Sequence, residues 1–102
     1  MKEIIGSAFN AEQSQFAVID IWADWCMPCK KMMPTFEKVA GEFSEKVAFY
    51  KADVMENTDF AAKYGISAVP SLLFFKDGQL SKRVVGLQSE DSIRKLVNEL
   101  VS

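Results

Sequence analysis

The run Ala17–Ala23, A-V-I-D-I-W-A, limits the possible folds of this chain more than any other segment. A near-continuous apolar run of this length reads as a β-strand covered on both faces, which calls for helices on either side of a sheet. It leads through Asp24 and Trp25 into W-C-M-P-C-K, Trp25–Lys30, where both cysteines of the chain stand three positions apart. From about Cys26 to Phe43 the apolar positions Met33, Phe36, Val39, Ala40 and Phe43 recur at helical spacing. Pro34 falls inside that helix and is expected to kink it, because it has no N–H for the carbonyl four residues earlier.

The same alternation runs along the rest of the chain. Lys2–Ile5 reads as a short edge strand, and a weak helix is expected near Ala8–Ser14. Val47–Val54 is a second apolar run. Asn57 caps a short helix that runs to Tyr64 and stops at Gly65. Ser71–Lys76 and Leu80–Val85 are strands joined through Asp77-Gly78, a hairpin signal. Ser89 caps a last helix whose inward face is Ile93, Leu96, Val97, Leu100 and Val101. The order β-α-β-α-β-α-β-β-α implies parallel pairing through right-handed crossovers, closed by an antiparallel hairpin. The fold class is therefore α/β: a central mixed sheet of about five strands flanked by about four helices. No repeat or linker divides the chain, so residues 1–102 are expected to form one domain.

Charge excludes some classes. The net charge is −2 with acidic and basic residues interspersed, so no nucleic-acid partner is expected. No apolar run approaches the ~20 residues of a membrane span. The first residues, M-K-E-I-I-G-S, lack the apolar core of a signal peptide. A cytoplasmic monomer is expected, in a compartment where disulfides are mostly catalytic or transient.

The cysteine pair has three readings: a staple, half of a metal site, or a reaction centre. The chain has no histidine and no third cysteine. A structural zinc site usually takes four Cys or His ligands, so only a metal shared between chains would fit, and protease-type Cys-His catalysis is excluded. As a staple, a loop of roughly four residues stabilises by only about 2 kcal/mol, against about 4.7 for a 100-residue loop. Residues three apart on a helix place their β-carbons roughly 5–6 Å apart, so a disulfide needs modest adjustment. The unpaired N–H groups at a helix start favour a thiolate, and Pro28 in the first turn costs no hydrogen bond. Cys26 is thus expected to be the exposed nucleophile, and Cys29, one turn further in, the buried resolving cysteine.

Two charged residues break apolar strands. Asp20 is either an outward-facing or capping side chain or, if its strand is central, a desolvated proton acceptor near the helix start. Lys51 is either its partner or an edge residue with a solvated head. Trp22 reads as core and Trp25 as contact surface; Met32, Met33 and Met55 read as ordinary core or surface side chains.

V-I-D-I-W-A-D-W-C-M-P-C-K, Pro34, K-Y-G-I-S-A-V-P-S, F-F-K-D-G and V-V-G occur in an order and spacing that resemble the thioredoxin family over essentially the whole chain. The resemblance implies the thioredoxin fold and a thiol-disulfide oxidoreductase that reduces protein disulfides. It makes Cys26 the nucleophile, Cys29 the resolving cysteine, Asp20 the buried acid that helps deprotonate it, and Lys51 the lysine beside that acid. Pro70 matches the family's cis-proline; base rates alone make an X-Pro bond trans. Trp25, Met27, Pro28, Val69, Gly86 and Leu87 would form an apolar docking surface, with Val69 pairing to an extended peptide through its backbone. Met27 departs from the common Gly-Pro between the cysteines and, with Pro28, is expected to tune redox poise and partner choice. Leu87 enlarges the patch where the family often has a smaller residue. The implied partners are disulfide-bearing client proteins and a thioredoxin reductase; the implied redox group is the Cys26–Cys29 disulfide, with no bound cofactor or metal. A non-catalytic binding subunit and a dithiol oxidant or isomerase are the rival readings, with a glutaredoxin behind them.

Overall fold

A computed structural model of the chain describes residues 2–4 and 14–102. Its five strands are β1 (Lys2–Ile4), β2 (Phe16–Trp22), β3 (Ala48–Asp53), β4 (Ser71–Lys76) and β5 (Gln79–Val85). The helices among the described residues are α1 (Met27–Phe43), α2 (Thr58–Lys63) and α3 (Glu90–Val101). The helix expected near Ala8–Ser14 lies outside the described residues, except for Ser14.

The strands form one sheet in the order β1-β3-β2-β4-β5. β3 runs parallel to both β1 and β2, while β4 runs antiparallel to β2 and β5 antiparallel to β4. The apolar run that became β2 is therefore the central strand. Successive side chains on a strand face opposite ways, so Val18 and Asp20 share one face and Ala17, Ile19 and Ile21 the other. On the first face Val18, Phe49, Leu72 and Phe74 pack against Phe36 and Val39 of α1 and Ile93 and Val97 of α3. On the second, Ile19, Ile21, Leu73 and Phe75 pack with Phe60 of α2. Two edge-on aromatic contacts order these layers, Phe36 against Phe49 at 5.7 Å and Tyr64 against Phe75 at 5.2 Å.

The buried face of α1 is Cys29, Met32, Phe36, Val39 and Ala40. The expected phase is corrected by one position near the helix start: Met32, not Met33, is in the core, and Met33 and Phe43 are half-buried. The reason is spacing, since Cys29, Met32 and Phe36 stand at i, i+3 and i+7 while Met33 lies a hundred degrees round the helix from Met32. α1 continues as a helix through Pro34. At its far end Arg94 of α3 donates to both carboxylate oxygens of Glu42, at 2.8 and 2.9 Å, and to Glu90 at 2.7 Å. These hydrogen bonds hold both carboxyls below their ordinary range.

Both turn signals act as their chemistry requires. Asp77 and Gly78 have φ of 52° and 84°, the doubly positive turn that matches strand twist in a two-residue hairpin. The end of α2 is a Schellman motif: Gly65 N donates to Ala62 O at 3.2 Å and Ile66 N to Ala61 O at 2.8 Å. Gly65 has φ of 66°, and an added β-carbon would lie 2.7 Å from the Arg83 Nη1 that donates to Tyr64 O. Gly65→Ala should therefore cost about 1–2 kcal/mol of stability, read as a lower urea midpoint at unchanged slope. An unchanged midpoint would show that the helix stop tolerates a side chain.

Candidate active site

The antiparallel run of β4 brings its start beside the end of β2, with Ile21 opposite Ser71, and Val85 at the end of β5 lies opposite Ser71 in turn. The loops after β2, β3 and β5 and the loop before β4 thus meet at one end of the sheet. The loop after β2 is tight: Cys26 N donates to Ala23 O at 3.1 Å. Cys26 is the N-cap of α1 in an extended conformation, and its Sγ accepts from the N–H of Cys29 at 3.2 Å. A sulfur now occupies the position usually held by a Ser or Asp oxygen, facing a helix N-terminus whose dipole favours negative charge. Pro28 is in the first turn, where its missing N–H costs nothing. Cys26 and Cys29 form a disulfide with Cα atoms 5.3 Å apart.

The expected exposed nucleophile needs correcting. Cys26 is 4% exposed and Cys29 1%, so the order of burial is as expected but neither sulfur stands open to solvent. The cause is packing: Trp22, Ala23, Val54 and Val69 close round the pair. Val54, the first residue past β3, was not singled out from sequence; its place at the end of the parallel neighbour of β2 is the signal that finds it.

On the face of the sheet that α1 covers, Asp20 is wholly buried and both its carboxylate oxygens lack a hydrogen-bond partner. Burial pushes its pKa from 3.8 up to about 7, with the charge of Lys51 pulling the other way. Asp20 and Lys51 are register partners across β2 and β3. Lys51, half-buried, also lines a cavity of about 290 Å³ with Trp22, Cys29, Met33 and Pro34. Cys29 and Lys51 thus line one cavity, on the face of the sheet where Asp20 is buried. Trp22, expected in the core, is half-buried over the cysteines, and its Nε1 is buried without a partner.

The remaining residues form the rim. Trp25, Met27 and Leu87 are exposed, Val69 is half-buried against the cysteines, and Pro70 is buried. The Val69–Pro70 peptide bond is cis. Gly86, with φ of 101°, donates its N–H to Pro70 O at 2.9 Å, which ties the loop after β5 to the loop before β4. Val85 and Met55 extend the exposed apolar surface at this end of the sheet. Among the described residues no group of three or more His, Cys, Asp or Glu is placed to hold a metal ion, and no helix is long and apolar enough to cross a membrane.

The thioredoxin family model matches residues 2–99. The chain belongs to the thioredoxin family. It is 40% identical over 93 residues to the thioredoxin of Bacillus subtilis (strain 168), covering 90% of this chain and 89% of that protein. It is 36% identical over 98 residues to a thioredoxin of Staphylococcus epidermidis, covering 95% and 94%. The solved structure of Malassezia sympodialis thioredoxin superposes with a TM-score of 0.90 at 34% identity, covering all of this chain and 91% of that one. The mixed five-stranded sheet is the thioredoxin fold, and the Cys26–Cys29 pair makes the chain a thiol-disulfide oxidoreductase whose redox group is its own disulfide.

Proposed function

We propose that the protein is a cytoplasmic thioredoxin that reduces the disulfides of client proteins and is recharged by a thioredoxin reductase. The observation that carries the reading is a cysteine pair at a helix N-terminus, set in an apolar rim at the end of the strand that carries a buried carboxyl. The Cys26 thiolate attacks one sulfur of a client disulfide, whose other sulfur leaves as a thiolate and takes a proton. Cys29 gives its proton towards Asp20 and attacks Cys26 Sγ, which releases the second client sulfur as a thiolate and leaves Cys26–Cys29 oxidised. The client gains two electrons and the pair loses two. A carboxyl with a pKa of about 7 is half ionised near neutral pH, the condition for accepting that proton. Lys51 stabilises its anion from the neighbouring strand, and Met27 and Pro28 set the redox poise between the sulfurs. Trp25, Val69, Gly86 and Leu87 dock the client beside Pro70, with Val69 offering its backbone to an extended segment. The cytoplasmic setting rests on the chemistry of the pair, because disulfides in that compartment are mostly catalytic.

Direction of electron flow is tested by the reduction potential. The protein is equilibrated with defined dithiol/disulfide buffers and followed by tryptophan fluorescence or thiol alkylation. A value at or below a cytosolic glutathione poise of about −240 mV is expected. A value on the order of 100 mV higher would make the pair an oxidant and overturn the reading as a reductase.

A further inference from the structure

Of the two exposed side chains between the cysteines, Met27 and Pro28, one is a thioether. Met27 is 72% exposed and sits at the first position of α1, flanked by the N-cap Cys26 and by Pro28. Its backbone is held from both sides: Cys26 N is bonded to Ala23 O, and Cys29 N to Cys26 Sγ. The side chain therefore projects from a fixed point, and Trp25 and Leu87 are exposed at the same end of the sheet. The other described methionines divide sharply. Met32 is 1% exposed and Met33 half-buried, while Met55, on the loop after β3, is 63% exposed.

We infer that Met27 is a modification site for hydroperoxides, and that its sulfoxide turns off client docking while leaving the cysteine pair intact. The inference rests on the docking reading above. The step balances: the Met27 sulfur attacks a peroxide oxygen, the O–O bond breaks, and the thioether becomes a sulfoxide. Hydrogen peroxide takes up the two electrons and leaves as water. Access admits Met27 and Met55 and excludes Met32, because oxygen transfer needs the peroxide against the sulfur and the packed core prevents this at Met32. The consequence follows from polarity. A thioether is apolar and adaptable, suited to an extended client segment, whereas a sulfoxide is a strong acceptor that loses water when covered. The disulfide form is open to this chemistry while its sulfurs are already paired. A methionine sulfoxide reductase reverses it.

The test treats the protein in its disulfide form with hydrogen peroxide, maps the methionines by peptide mass, and measures insulin reduction driven by dithiothreitol. Met27 should oxidise ahead of Met32 and Met33, and the KM for insulin should rise about fivefold or more. Thiol exchange of the reduced pair with oxidised glutathione, a small disulfide that covers little of the rim, should change by a smaller factor than KM, that change being the part due to the place of Met27 between the sulfurs. In Met27→Leu the ratio of KM after and before peroxide should be one, whatever that variant's starting KM; in Met55→Leu the rise should persist. The inference fails if Met27 is oxidised and KM does not move, if Met27→Leu keeps the response, or if exchange with oxidised glutathione falls equally. Untreated protein unable to reduce insulin would instead overturn the reductase reading, and this inference with it.

Discussion

Cys29→Ser should convert a turnover protein into a trap. With Cys26 alone, attack on a client disulfide still forms the mixed disulfide, but the sulfur that releases it is gone. Adducts should accumulate and appear on nonreducing gels, vanishing when a dithiol is added. Insulin reduction should drop to the level of a blank without protein, and Cys26→Ser should be equally inactive while trapping nothing. The asymmetry comes from position: the Cys26 sulfur caps the helix on the side of the exposed rim, whereas Cys29 lies one turn inside, among the lining of the cavity shared with Lys51. Adducts forming with Cys26→Ser and not with Cys29→Ser would reverse the two roles.

The second large effect concerns Asp20, where activity and stability should move in opposite directions. Its carboxyl has a pKa of 3.8 when unfolded and about 7 when folded, so the folded state binds the proton more tightly. Below about pH 3 both states are protonated and the charge adds no cost. Between about 4 and 7 the unfolded carboxyl ionises first, so stability falls as pH rises. Above about 7 both are ionised and the loss is complete. At about 1.4 kcal/mol per pH unit the interval amounts to about 4 kcal/mol. Asp20→Asn keeps the shape and removes the charge. In the disulfide form it should therefore match the parent at about pH 3 and exceed it by up to about 4 kcal/mol at about pH 8, measured by urea denaturation. The same variant should turn over more slowly near neutral pH, since in the mechanism we propose Cys29 passes its proton to this carboxyl. Equal stability at pH 8 would mean that the carboxylate is solvated in the folded state. An unchanged pH-rate profile would remove its role in proton transfer.

Much of this molecule could be read from residue patterns, and the failures have physical causes. Periodicity placed the strands and helices because β2 is covered on both sides and α3 on one, and those two environments leave different spacings of apolar residues. The Asp77-Gly78 turn and the Gly65 helix stop were legible because few residues adopt positive φ without strain. The alternatives for Asp20 could not be decided from its own strand. Its burial depends on β3 and β4 flanking β2, a property of the sheet order. The cover over Cys26 was likewise hidden, since Val54 and Val69 come from separate loops that the parallel pairing of β3 and the antiparallel pairing of β4 with β2 bring together. The cis bond before Pro70 was legible from the family resemblance and not from composition.

The central strand also has a history in time. A chain emerging from the ribosome presents β2 before either neighbour exists: β3 ends at Asp53, and β4 starts only at Ser71. Until then the most apolar strand of the protein has both edges open, the condition under which nascent chains adhere to one another. In that interval Asp20 has its ordinary pKa of 3.8 and is fully charged at neutral pH. A charge in the middle of an apolar strand repels the same strand of a neighbouring chain and makes stacking costly. The carboxyl that burdens the finished fold thus guards the unfinished one, and the Asp20→Asn variant, more stable once folded, should be the more prone to clump on the way there.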